Sequence, residues 1–437
     1  MISVALQSAA YHRRSLLATG LVGLVGTALV AGMAGILASG LAPGANDADR
    51  PFLTQFPAIM GSWILAIVVF AVVSTVGVAL DGRTEEIGGM RLIGATPGQV
   101  RRMVALETAA VALAAALPGV AVSYLVGWVI VAQVRDVGLI HPESAYRPGL
   151  GWPVLAAGLI VLASIAGGYL GARTLAARSP VEAAGPSDRA SRSGRVRRIV
   201  AAALIMIGLI SSASSLAMPA SSVYATAATG PGCVLVAVGL CLLARELVGL
   251  AERVLRLLPT GRSASWHLAR INLRTVPDRI RPAVTFLTLF LGVSTGILTM
   301  QGIENAANGG AGGIGVVMAS INYLVVVLIA AFMAIALANN LIAAINGRRG
   351  ELATMSSVGA TEPQVRAMLL CETLVGLAVA TLASTLGAVV AVIPFAIAKL
   401  GDVRAAAAPG PYLLMIAIGA ALTVGVTVFA ERAAVSR

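Results

Sequence analysis

The residues best placed to do chemistry in this chain occur twice. Residues 82–108 read GRTEEIGGMRLIGATPGQVRRMVALET and residues 347–373 read GRRGELATMSSVGATEPQVRAMLLCET, at a constant offset of 265 with 13 of 27 positions identical. The first copy groups Arg83, Glu86, Arg91, Arg101 and Glu107; the second groups Arg348, Glu351, Arg366 and Glu372. Guanidiniums and carboxylates at these spacings offer ion pairing and recognition. Both copies are polar islands between long apolar runs, which suggests two equivalent docking points for a partner outside the membrane.

Other reactive residues are sparse. The only lysine is Lys399, so the chain has no GxxxxGK[ST] phosphate loop, in which the Lys must reach the terminal phosphates. If ATP drives this protein, another chain supplies the site. His12, His141 and His267 lie far apart and show no metal-ligand spacing. Cys233, Cys241 and Cys371 all fall in apolar runs and read as small core residues.

The elements that must position the repeated residues are membrane spans. The chain is 58% hydrophobic and 11% charged, against about 25% charged in soluble proteins, so it reads as a polytopic membrane protein. Spans are expected near 15–38, 58–80, 108–133, 152–174, 199–218, 231–250, 282–302, 318–345, 373–398 and 411–430, given about 20 apolar residues for each. The fifth and sixth are separated by a polar, small-residue break from Pro219 to Gly232. With both termini in the cytoplasm, 26 of the 31 basic residues lie inside and 5 outside, as the positive-inside rule requires. The basic excess thus reflects orientation and contact with anionic membrane lipid; no aromatic platform supports nucleic-acid binding. The first apolar run exceeds 20 residues and reads as a span, not as a signal peptide.

The expected fold is all-α: two parallel-repeat four-helix units plus two extra central helices. Residues 1–175 form the first unit, 176–198 an Arg-, Ser- and Pro-rich cytoplasmic linker, 199–250 the added helices and 251–437 the second unit. Six spans separate the two connectors, an even number, so both face the same side. Inverted-repeat secondary carriers differ in this respect, and the spans also lack the central charges that ion-coupled carriers use.

Each connector reads as a short helix, a tight turn and a new helix. Gly94 can stop the first helix in the left-handed conformation. Thr96 then caps the next, with Pro97 at its first position and Gln99 completing a capping box. Gly359, Thr361 and Gln364 repeat the pattern, with Pro363 one place later. The short helix, about 82–93 or 347–358, carries Ile87, Met90 and Ile93, matched by Leu352, Met355 and Val358, at three-residue spacing. Glu86 and Glu351 sit near its start, where a carboxylate suits the helix dipole. Glu107 and Glu372 lie at the mouths of the next spans. They read either as snorkelling residues or as partners of Arg101 and Arg366, or of a neighbouring helix. Gly20, Gly23 and Gly26 in the first span imply close helix packing.

The run from Arg83 through Glu86, Ile87, Met90, Arg91, Gly94, Ala95 and Thr96, leading to Glu107, resembles the signature of FtsX-like (MacB-type) ABC transporter permeases. The second copy, from Arg348 through Gly359, Ala360 and Thr361 to Glu372, resembles a divergent version, with Gly350 before Glu351 and Ser356 in place of Arg91. The resemblance implies a bacterial plasma-membrane permease without enzymatic activity of its own. The short helices would be coupling helices docked on a separate cytoplasmic ABC ATPase, as a dimer, which holds ATP and Mg; this chain would bind no cofactor. It further implies mechanotransmission; the short outer loops and apolar spans favour export of an amphiphile such as a lipid, antibiotic, peptide or haem-like compound. The alternative is a non-transporting transducer linked to an ATPase and an extracytoplasmic or sensor-kinase partner. The outer loops, about 39–57 and 303–317, are too short for the large extracytoplasmic domain of many relatives.

Overall fold

The computed structural model describes residues 13–81, 83–136, 138–176, 188–220, 223–257, 263–276, 280–307, 314–346 and 348–435. These form fourteen α-helices and two short 3-10 turns, with no strand among the described residues. Ten helices are long and apolar enough to cross a membrane, in the expected order.

Two compact units emerge, residues 1–187 with 308–332, and residues 188–307 with 333–437. The first contains α1 (Arg13–Leu41), α2 (Arg50–Asp81), α3 (Thr84–Leu92), α4 (Pro97–Asp136), α5 (Gly151–Ala176) and the start of α11 (Ile314–Asn346). The second contains α6 (Asp188–Ala213), α7 (Val223–Leu242), α8 (Ala244–Leu257), α9 (Ala264–Thr275), α10 (Arg281–Ala307), the rest of α11, α12 (Arg349–Ser357), α13 (Glu362–Leu400) and α14 (Pro409–Val435). The added spans α6 and α7 thus pack within the second unit, against α10 and α13.

Within the first unit α1 is central: 72% of its most apolar stretch is buried, against 22% for α4. Between apolar helices in lipid, small residues permit the close approach that dispersion requires. Gly20, Gly23 and Gly26 serve this end, facing Val111, Ala115 and Val68. In the second unit α10 has the central place, with 89% of its apolar stretch buried.

Four local features differ from the sequence expectation. The break between the fifth and sixth spans is confined to the residues just after Ala217, and Thr229 to Gly232 lie inside α7. They form a packing seam: a Cβ on Gly232 would come within 2.7 Å of the Gly208 carbonyl oxygen, so only glycine fits. The sixth span ends at Leu242, where the amphipathic α8 replaces the expected continuation to residue 250. Helix α6 starts at Asp188, inside the stretch read as linker, while residues 177–187 lie outside the described ones. The loop expected over 39–57 is mostly helix, since α2 begins at Arg50 with Pro51 in its first turn, where a missing N–H is tolerated. Part of the other short loop, residues 308–313, lies outside the described residues.

At the end opposite the connectors, each unit is closed by a buried polar contact. In the first, Asp49 accepts hydrogen bonds from the backbone N–H of His141 (3.0 Å) and from Ser144 Oγ, and its Oδ1 lies 2.9 Å from His141 Nδ1. Burial pushes the Asp49 pKa up, but the bonds from Ser144 and His141 outweigh it and hold the carboxyl below its usual value. This latch ties the α4–α5 loop to the start of α2. In the second unit, Lys399 Nζ, 2% exposed, pairs with Glu304 at 3.0 Å and joins α13 to α10.

Candidate functional site

The two connectors fold into the same joint. Gly94 and Gly359 take φ of +103° and +102°, the left-handed conformation that a side chain makes costly. The N–H of Gly94 donates to Arg91 O and that of Ala95 to Met90 O; Gly359 and Ala360 donate to Ser356 O and Met355 O in the same way. This double return is the Schellman C-cap, in which Ala95 and Ala360 pack near Met90 and Met355. The next helix opens with a capping box. Thr96 N donates to Gln99 Oε1 (2.9 Å) and Gln99 N to Thr96 Oγ1 (3.3 Å). Thr361 and Gln364 form the equivalent box. The identical Met-x-x-x-Gly-Ala-Thr-x-x-Gln positions are therefore the hydrogen-bonding and packing groups of one rigid turn.

Apolar residues seat the joint on the bundle. In the first copy Ile87 is buried among Val76, Leu80, Val100, Met103 and Val104; in the second, Leu352 is buried among Ile345, Val365, Met368 and Leu369. Met90 and Met355 are half-buried beside them. Ile93 and Val358, expected on the same stripe, point elsewhere. They are the C-cap residues and are 87% and 85% exposed. Leu92 beside Ile93 is 74% exposed, and its counterpart in the second copy is Ser357. These tips lie between the candidate spans.

The charged residues form a clamp. Arg83 Nη1 donates to Glu107 Oε1 at 2.7 Å, and Arg83 Nε to Glu86 Oε2 at 3.1 Å. Arg83 and Glu107 side chains are 9% and 2% exposed. The second copy repeats this: Arg348 Nη1 donates to Glu372 Oε2, and Arg348 Nε to Glu351 Oε2 at 3.4 Å. Burial opposes the charge on both arginines. Hydrogen bonds to Glu86 and Glu107 in one joint, and to Glu372 and Glu351 in the other, outweigh it and raise their pKa above the usual guanidinium value. Each clamp bolts the start of the short helix to the third turn of the next long helix.

Glu107 and Glu372 therefore do not pair with Arg101 and Arg366, as sequence proximity suggested. A separation of six residues puts the two groups about 120° apart around the helix. Arg101 instead donates from Nε to Pro97 O at 3.2 Å and lies over the Tyr169 ring, 5.7 Å from its centroid. Arg91 and Arg366 are half-buried on α3 and the first turns of α13. Sequence reading missed Asn272. Its Nδ2 donates to Glu372 Oε1 at 2.8 Å and links α9 to the second clamp. The one available signal was a polar residue on the buried face of the amphipathic stretch Trp266–Arg274.

A family model for the FtsX-like permease C-terminal domain matches residues 58–180 and 323–436, just over half of the chain. The chain belongs to the FtsX-like permease family. Each matched segment contains one complete joint, whereas α6 to α10 lie outside both. No curated protein matches the chain. Membership makes this an ABC transporter permease-type, multi-pass membrane protein. FtsX-like permeases form a transport and transducer family, not an enzymatic one, and generally work with cytoplasmic ABC ATPases.

Proposed function

We propose that this FtsX-like permease is the membrane subunit of an ATP-driven exporter, docked through α3 and α12 on a dimer of a separate cytoplasmic ATPase. The observation that carries the reading is the pair of exposed apolar tips, Ile93 and Val358, held outside the spans on joints of identical construction. Exposed apolar side chains on a rigid polar connector suit a complementary groove on a partner. The clamps give the docked helix mechanical continuity with α4 and α13, so closure of the ATPases bends the bundle without a channel through it. ATP and Mg belong to the ATPase. Both termini and both joints lie in the cytoplasm of a bacterium, which accords with the placement of 26 of the 31 basic residues.

The substrate class is an amphiphile taken laterally from the outer leaflet. The short connection from α1 to α2 and the hydrophobic span surfaces support this. The test replaces Ile93→Asp together with Val358→Asp. Membrane insertion should persist while co-purification of the ATPase and its stimulation by candidate amphiphiles are lost. Undiminished association and stimulation would overturn the docking assignment.

A further inference from the structure

The α8 helix has no counterpart among the described elements of the first unit, and neither the joint nor the family match includes it. A single residue, Leu243, separates it from the end of the α7 span, so α8 begins at the membrane boundary on the connector side. Its fourteen residues make a rod of about 21 Å.

That rod has three sectors at about 100° per residue. Ala244, Val248 and Leu255 lie within about 40° of one another and are buried against Leu273, Ile280 and Val284. Arg245, Arg253 and Arg256 fall within about 80° on an exposed sector. Between the arginines and the far edge of the packed sector come Leu250 and Val254, 57% and 51% exposed. The neighbouring α9 repeats the combination, with Leu268 and Ile271 about two-fifths exposed beside exposed Arg274. The acidic residues of α8 are already engaged: Glu246 pairs with Arg197 at 2.7 Å and Glu252 with Arg256 at 2.5 Å. Residues 245–281 hold eight arginines and three acidic residues, leaving a strong positive excess.

Apolar and guanidinium sectors side by side, on a helix starting at the bilayer surface, match the headgroup layer of an anionic membrane. Leucine and valine enter the acyl boundary while arginines meet lipid phosphates. We propose that α8, with α9, lies in the membrane interface and forms a binding site for anionic phospholipid headgroups. Asn272 then places this site one hydrogen bond from the second clamp, since α9 carries both Asn272 and the lipid-facing Leu268 and Ile271. The inference needs only membrane insertion, so its failure leaves the ATPase reading standing, and the reverse.

The experiment uses the full chain in nanodiscs of phosphatidylcholine alone or mixed with phosphatidylglycerol. A spin label at Leu250→Cys, with Cys371→Ser, should be relaxed by oxygen more than by a water-soluble nickel complex. In native mass spectrometry, Arg253→Gln should weaken phosphatidylglycerol retention about fivefold and added Arg256→Gln, whose charge Glu252 partly offsets, should weaken it further by a smaller factor, with phosphatidylcholine retention unchanged. A Leu250 label open to nickel would overturn the proposal, as would undiminished phosphatidylglycerol retention. Shielding of the label that depends on an added cytoplasmic protein would reassign the face to a protein partner.

Discussion

The clamp offers the sharpest quantitative test. Replacing Glu107 by leucine takes from Arg83, 9% exposed, its most buried carboxylate partner and keeps the Glu86 side chain, which is 40% exposed. Removing one member of a buried ion pair costs about 3–5 kcal/mol, mostly the penalty of the stranded charge. The remaining bond to Glu86 offsets part of this, so about 2 kcal/mol of local stability should be lost. That corresponds to about a 30-fold increase in the opening of α3. Amide hydrogen exchange over residues 84–92 in nanodiscs reads this opening, while α5 serves as an internal reference. The double variant Arg83→Met with Glu107→Leu removes both charges and should recover part of the protection. Glu86, with its side chain 40% exposed, keeps its solvation in that variant. A coupling energy below about 0.5 kcal/mol between the two sites would mean that they act independently and would refute the clamp. Arg101→Met should leave α3 exchange unchanged, because Arg101 contacts Pro97 and Tyr169 and not Glu107.

Three further outcomes follow from the geometry. Gly94→Val or Gly359→Val meets no neighbour within 4 Å, so its cost is conformational, about 1–2 kcal/mol, and should appear as faster exchange at the joint without loss of insertion. Lys399→Met leaves Glu304, whose side chain is 21% exposed, with the Thr226 hydroxyl but without its cation, and should lower the thermal stability of the second unit; adding Glu304→Gln should restore most of it, as measured by a melting curve in lipid. The Asp49 latch depends on pH with a definite sign. Its folded pKa lies below the ordinary 3.8, so its stabilisation is complete above that value and fades as pH falls through the lowered one. Protection factors over residues 138–150 should therefore hold from neutral pH down to about 4 and drop below it, and Asp49→Asn should remove that step.

Much of the architecture was legible because its signals are local. Nine apolar runs, one of them long enough for two helices, give ten spans, and Gly-Ala-Thr-x-x-Gln encodes a C-cap and an N-cap in consecutive residues. The clamp was not legible, because Arg83 and Glu107 are 24 residues apart and meet only once the turn has folded α3 back on α4. The apolar stripe misled for a simple reason. Three-residue steps drift by about 60° each, so Ile93 ends about 120° round from Ile87 and faces outward. Helix α8 was hidden because its leucines and valines merge with the end of the α7 span in a hydropathy reading, and only its arginine spacing betrays the change. In the same way Thr229 to Gly232 look like a turn in sequence, yet they are small because two helices touch there.

The account stands or falls on what the tips of α3 and α12 contact. The direct measurement is site-specific photo-crosslinking in intact cells, with a benzophenone side chain placed at Ile93, at Val358 and at the exposed span residue Leu117 as a control. The account predicts adducts to the same ABC ATPase from positions 93 and 358 and lipid-only products from 117. Crosslinks from 93 and 358 to lipid, or to no ATPase when one is present, would contradict it.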